Sequence, residues 1–318
     1  MTTLDPQSQA VVDGFNASGL LPFRQFSPAR ARQEVLALRP PRGAPAHEMA
    51  SVSEETITTA DGNFDVRILR PRAPRAGEAM AALIYFHGGG FFMGGLDETD
   101  HVARQIAKES DVVVVNVNYR HSPEFKFPVA VNDAYAALRW VAENAAELGI
   151  DPNRIVLSGD SAGGNLTIVT CLMARERGGP AIRFQVPIYP SLDLRPSPQY
   201  ASRLKWGAGG YILDNDDIVW MLDHYLGRPE EGDDWRASPI VAKSYAGLPA
   251  ALVITADHDP LCDEGKLYAD RLKADGVEVE YAQFDGTFHG FVSFGGIVET
   301  ATRAMKLICE RIKQAVSR

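Results

Sequence analysis

The chain has 318 residues, of which 45% are hydrophobic and 23% charged. That balance excludes a disordered, collagenous or coiled-coil polypeptide, and a chain of this length removes roughly 75% of its unfolded surface from water, enough for a large core. Forty-one acidic against 32 basic residues leave a formal net charge of -9, which repels phosphate backbones and argues against a nucleic-acid partner.

The first forty residues alternate apolar and charged side chains at helical spacing, with no strand signal. The opening fifteen lack a basic region followed by an apolar stretch, so no export signal is read there. Residues 54–59 and 64–69 alternate in the strand manner. The Asp61-Gly62 pair between them accepts the positive φ of a tight turn and predicts a hairpin. Continuous apolar runs follow at 81–86, 112–117, 155–157, 184–188 and 250–255. Helical-period segments at 99–108, 131–147 and 163–175 fall between most of them. This alternation predicts an α/β fold with a mostly parallel sheet covered by helices on both faces. A helix at 264–274, a strand at 277–284 and a helix at 297–316 complete it.

The interval 189–248 breaks the rhythm. It is rich in Pro, Gly, Trp and Tyr, carries helical patterning near 214–226, and reads as an insertion over one end of the sheet. The expected organisation is therefore an N-terminal part of a cap at 1–45, core at 46–188, a cap insertion at 189–248 and core again at 249–318. Cys171, Cys262 and Cys309 are widely spaced and odd in number, which points to packing in a reducing cytoplasm rather than a disulfide framework. No run approaches the ~18 apolar residues of a membrane span.

Gly159-Asp160-Ser161-Ala162-Gly163 is the only G-x-S-x-G in the chain and lies between an apolar strand and a helix. In that context the motif forces the serine into the open on a sharp turn, beside the positive end of the new helix. A serine hydroxyl needs a neighbouring base. Where the chain order is nucleophile, acid, base, His289 is the one histidine beyond the acid candidates at 257–263. It lies in Gly286-Thr287-Phe288-His289-Gly290-Phe291, expected as a loop after the strand ending at 284. Asp257, Asp259 and Asp263 all follow the strand 250–255, and the pattern leaves the choice among them open. His87-Gly88-Gly89-Gly90 ends another strand. Its glycines leave amides free to meet an oxyanion, with the amide of Ala162 as a further donor and His87 as scaffold. No Gly-Lys-Ser/Thr P-loop, helix-opening G-x-G-x-x-G or H-E-x-x-H is present, so neither a cofactor nor a metal is expected. Phe91, Phe92, Trp206, Tyr211 and Trp220 are the aromatic candidates for a pocket wall.

The blocks HGGGFFMG at 87–94, YRHSPEFKFPVAVNDAYAALRWV at 119–141, GDSAGGNL at 159–166, TADHDPLCDEG at 255–265 and GTFHGF at 286–291 resemble the hormone-sensitive lipase family of esterases, bacterial family IV. The resemblance implies an α/β-hydrolase fold with a helical cap, Ser161 as nucleophile, His289 as base and Asp259 as the acid. It implies Gly89 and Gly90 as oxyanion donors with Ala162, small to medium acyl esters as substrates, no cofactor, and a homodimer as in many members. Cys262 departs from the arginine common at that place. Use of the same machinery as an amidase, lactonase or acyltransferase, or of the scaffold as a non-catalytic small-molecule receptor, is the alternative.

Overall fold

A computed structural model describes residues 3–19, 21–37, 46–196 and 199–317. Among the described residues eight strands form one sheet: β1 (Ser51–Thr59), β2 (Gly62–Arg70), β3 (Met80–Phe86), β4 (Val113–Asn118), β5 (Ile150–Asp160), β6 (Phe184–Ile188), β7 (Ala251–His258) and β8 (Val279–Phe288). Their order across the sheet is β1-β2-β4-β3-β5-β6-β7-β8. The predicted β1–β2 hairpin is antiparallel, as is β2 against β4, and every later pairing is parallel. The expected α/β architecture is thus the observed one.

The parallel strands are apolar on both faces because helices cover both. Ala82, Ile84 and Phe86 of β3 share one core with residues of α4 (Val129–Glu143), α5 (Ala162–Arg177) and α8 (Cys262–Ala274). Leu83 and Tyr85, pointing the other way, share a second core with residues of α3 (Leu96–Ser110) and α9 (Glu299–Ser317). Helix α5 is buried along thirteen consecutive residues from Ala162 to Ala174. It therefore lacks the polar stripe of a surface helix and anchors whatever precedes it.

The N-terminal segment forms α1 (Pro6–Ala17) and α2 (Pro28–Ala37), and the insertion forms α6 (Ala201–Trp206) and α7 (Asn215–Tyr225). These two distant stretches meet. The amides of Phe23 and Arg24 donate to Asp217, and the Arg24 guanidinium pairs with Asp214 and Asp217. Ala31, Phe92, Leu213, Ile218, Met221 and Leu261 make a separate small core between them. That cluster lies at the carboxyl ends of the strands, where open α/β sheets carry their sites.

Several strands outrun their predicted limits, β5 and β8 furthest. β5 begins at Ile150 because Met80 pairs with Ile150, the extra residues 151–154 bulging out of β5 before Ala82 pairs with Ile155. β8 continues to Phe288 because a shift in register pairs His258 with Phe288. His289 therefore directly follows the last paired residue of a strand instead of lying in a loop after 284.

Candidate active site

Ser161 sits between β5 and α5 with φ 56° and ψ -116°. A non-glycine residue in that region carries about 1–3 kcal/mol of strain and persists only where its surroundings impose it. Here the Ser161 amide donates to the Ile188 carbonyl at 2.8 Å, and the Ser161 carbonyl accepts from Asn165 and Ser191. Gly159 and Gly163 are demanded by backbone proximity. A Cβ at Gly159 would stand 2.4 Å from the Phe86 carbonyl oxygen, and one at Gly163 only 1.8 Å from it.

His289 Nε2 lies 2.9 Å from Ser161 Oγ, and His289 Nδ1 lies 2.7 Å from Asp259 Oδ2. Asp259 is fully buried, and its other oxygen accepts from the Leu261 amide at 2.8 Å. The remaining acid candidates face elsewhere. Asp257 Oδ1 meets His258 Nδ1 at 2.8 Å and accepts from the Thr287 amide, while Asp263 accepts from the Ser202 amide. Only Asp259 among the three reaches His289, so the structure brings Ser161, His289 and Asp259 together in one hydrogen-bonded row.

The His87–Gly90 loop ends β3 beside Ser161. Gly89 and Gly90 have φ 121° and 59°, and a Cβ at Gly89 would meet the Met93 carbonyl oxygen at 2.1 Å. Among the described residues no protein acceptor takes the amides of Gly89, Gly90 or Ala162. Ala162 opens a helix, so its N–H has no intrahelical partner. His87 is fully buried, stacks on Tyr119 at 4.4 Å, and its Nδ1 lies 2.7 Å from the Gly88 carbonyl. Burial lowers the pKa of its ring. It holds the loop, and among the described residues its ring makes no hydrogen bond to Ser161.

A pocket of about 30 Å³ opens at Ser161, walled by Gly90, Phe91, Ala162, Ser191, Leu213, Ile218, Met221, Leu222 and Leu261. Of the five aromatic candidates only Phe91 lines it, stacked at 3.9 Å on Tyr225. Phe92 is buried against Phe23 and Trp220, and Trp206 and Tyr211 pack on His258. A larger cavity of about 520 Å³ lies behind the same stretch of α7 and shares the walls Ile218 and Leu222, but none of Ser161, His289 or Asp259 lines it.

Three supporting groups were not singled out by pattern. Asp160 Oδ1 accepts from the Gly88 amide and the Tyr85 hydroxyl, both at 2.8 Å, tying the serine turn to the glycine loop. Glu264, fully buried, accepts from the amides of Leu192 and Asp193 and from Arg203 of α6. Burial raises its pKa, against the pull of Arg203. Asn165 donates to the carbonyls of Ser191 and Ala237. Their presence inside the quoted motif blocks was the available signal, but a contact across 61 or 72 residues has no periodicity to reveal it. Cys262, in place of an arginine, is buried and approaches Gln283 at 3.6 Å. Among the described residues no group of three or more His, Cys, Asp or Glu is placed to hold a metal, and no helix is long and apolar enough to cross a membrane.

A family model described as alpha/beta hydrolase fold matches residues 83–293. The chain is 36% identical over 311 residues to an ethyl acetate hydrolase of Pseudomonas putida, covering 96% of each chain. It is 39% identical over 267 residues to the carboxylesterase NlhH of Mycobacterium tuberculosis, covering 83% of this chain and 82% of the relative. Among solved structures, a hyperthermophilic esterase from the archaeon Pyrobaculum calidifontis superposes with a TM-score of 0.90 at 40% identity, over 99% of both chains. An α/β hydrolase from the metagenome of Lake Arreo superposes with a TM-score of 0.93 at 32% identity, again over 99% of both.

Proposed function

We propose that this chain, which belongs to the hormone-sensitive lipase-like, family IV esterases of the α/β-hydrolase fold, works with Ser161 as nucleophile, His289 as general base and Asp259 as the acid that orients the ring. Its activity is that of a carboxylic ester hydrolase. The observation that carries the mechanism is the pair of hydrogen bonds in series, 2.9 Å from Ser161 Oγ to His289 Nε2 and 2.7 Å from His289 Nδ1 to Asp259 Oδ2.

Ser161 Oγ attacks the ester carbonyl as its proton passes to His289 Nε2. Asp259 Oδ2 accepts from His289 Nδ1–H, selecting the tautomer that leaves Nε2 free and stabilising the imidazolium that forms. The carbonyl oxygen, now negative, takes hydrogen bonds from the amides of Gly89, Gly90 and Ala162. Removal of one such donor costs about 3–4 kcal/mol of transition-state stabilisation. The alcohol departs with the proton from His289. Water then attacks the acyl-enzyme by the reverse path, giving the carboxylic acid and free Ser161. No cofactor enters this sequence.

The narrow apolar pocket favours small to medium uncharged acyl groups. The described residues of 1–45 and 189–248 act together as the cap, a reading supported by the Arg24–Asp214–Asp217 contact between them; residues 1, 2, 20, 38–45, 197 and 198 of those ranges lie outside the described residues. The chain acts in the cytoplasm as a homodimer, for which β8, an edge strand of the sheet, offers a pairing surface. Light scattering on the eluted protein tests the dimer. Ser161→Ala tests the mechanism: turnover of p-nitrophenyl acetate and butyrate disappears while the circular dichroism spectrum stays. Turnover near that of the wild type refutes it. A p-nitrophenyl ester series reads the acyl length.

A further inference from the structure

The loop that follows the glycines is held in a conformation its own residues disfavour. Phe91 has φ 63°, a left-handed value for a bulky side chain. The amides of Phe92 and Met93 both fold back onto the Gly89 carbonyl at 3.1 Å, so a shift at Phe92 moves Gly89. Such a loop keeps its shape only if groups outside it hold it. One holder is Asp160, on the Gly88 amide. A second is Ser122, whose amide and hydroxyl donate to the Phe91 carbonyl. The third is Arg32 of α2.

Arg32 Nε donates to the Phe92 carbonyl at 2.6 Å, and Nη2 donates to the Ser122 carbonyl at 2.6 Å. Its outer nitrogens form a two-pronged pair with Glu124 at 2.9 and 2.7 Å, and this ion pair lowers the Glu124 carboxyl pKa to about 2. One planar guanidinium thus laces the glycine loop to the 121–124 segment, a geometry that an ammonium does not reproduce. Among the described residues it is the one side chain of the N-terminal segment that hydrogen-bonds to this loop.

We propose that Arg32 is a positioning residue for ester hydrolysis: through the Phe92 carbonyl it sets the Gly89 and Gly90 amides against the developing oxyanion, so the seating of the N-terminal cap is coupled to the chemical step. This rests on the reading of Gly89 and Gly90 as oxyanion donors. A residue that only fastens the cap would act differently, and Arg24 supplies the comparison. Its bonds to Asp214 and Asp217 join the same N-terminal segment to α7 without touching the glycine loop.

The experiment compares wild type, Arg32→Ala, Arg32→Lys and Arg24→Ala in p-nitrophenyl butyrate kinetics, inhibition by an alkyl trifluoromethyl ketone, and thermal melting. The ketone adds to the serine and presents an oxyanion, so its affinity reports the donors. Expected for Arg32→Ala is a kcat lower by about tenfold or more, short of the roughly 100- to 1,000-fold lost with a whole donor. The ketone should weaken by the same factor while KM stays within about twofold. Arg32→Lys should fall in kcat and ketone affinity in the same ratio, and this variant carries the test if the alanine variant does not fold. Arg24→Ala should move KM and melting temperature and leave kcat and ketone affinity alone. If the Arg32 variants keep their kcat, or change only in KM and melting temperature as Arg24→Ala does, the coupling is wrong while the esterase reading stands. Wild-type turnover that survives Ser161→Ala overturns both.

Discussion

Gly163→Ala isolates the contact on which the whole site is built. The added Cβ would stand 1.8 Å from the Phe86 carbonyl oxygen, 2.5 Å from the Phe86 carbonyl carbon and 2.7 Å from the His87 oxygen. All three are backbone atoms, so no side chain can rotate to make room. Ordinary contact begins at 3.4 Å, which requires the start of α5 and the end of β3 to part by about 1.5 Å in a close-packed interior. These two backbones carry Ser161 and Ala162 on one side and the Gly88–Gly90 loop on the other. A displacement near 1 Å in such a constellation costs about 100-fold in rate, and the overpacking itself costs about 1–3 kcal/mol of stability. Gly163→Ala should therefore lose at least about 100-fold in kcat/KM toward p-nitrophenyl butyrate, mostly in kcat, and melt several degrees lower. Gly14→Ala is the control. It lies in α1 with nothing within 4 Å of the added carbon, and should leave activity unchanged while gaining up to about 1 kcal/mol. Wild-type kcat and melting temperature in Gly163→Ala would refute the argument that backbone contact fixes the serine turn.

Asp259→Asn keeps the shape of the acid but replaces the acceptor of His289 Nδ1–H; kcat should fall by about 10⁴, the size of the corresponding change in serine proteases, with KM little altered. Asp257→Asn, which faces His258, should leave kcat within about tenfold of wild type. Burial pushes the His121 ring down to about 3, and its buried Nε2 has no partner among the described residues. The unfolded chain takes up that proton near pH 6.5 and the folded one does not. Stability is therefore whole above pH 6.5 and is lost toward acid, by up to about 1.4 kcal/mol per pH unit, until pH 3. Urea midpoints between pH 7 and 5 should fall less steeply in His121→Gln than in the wild type. Arg203→Met strands the buried carboxylate of Glu264 and should cost about 3–5 kcal/mol in urea denaturation. Arg203→Met combined with Glu264→Gln should recover part of that loss, because no unpaired charge is left behind.

The fold was legible because both of its periodicities are written locally. Continuous apolar runs such as Val113-Val114-Val115 announce strands buried on two faces, and the amphipathic spacing of α3 and α9 announces the helices over them. The limits of β5 and β8 were less legible. Met80 pairing with Ile150, and His258 with Phe288, are decided by the neighbouring strand across a bulge or a register shift, not by the residues themselves.

The candidate site divides in the same way. Ser161, the glycines around it and His289 stand in short motifs because a sharp turn and a close backbone approach demand particular residues at fixed spacing. The choice of Asp259 over Asp257 and Asp263 was beyond local pattern, since three carboxylates within seven residues differ only in where β7 and the next turn aim them. The aromatic candidates show the same limit: Phe91 faces the pocket and Phe92, its neighbour, is buried in the cap, a difference of direction that composition does not encode. Sequence alone determined which chemical groups are present, and the order in which strands and helices deliver them. Tertiary structure decided which of those groups meet, as Arg32 meets Phe92 and Glu264 meets Arg203, because a hydrogen bond depends on distance and angle in space and both are set by packing between elements far apart in the chain.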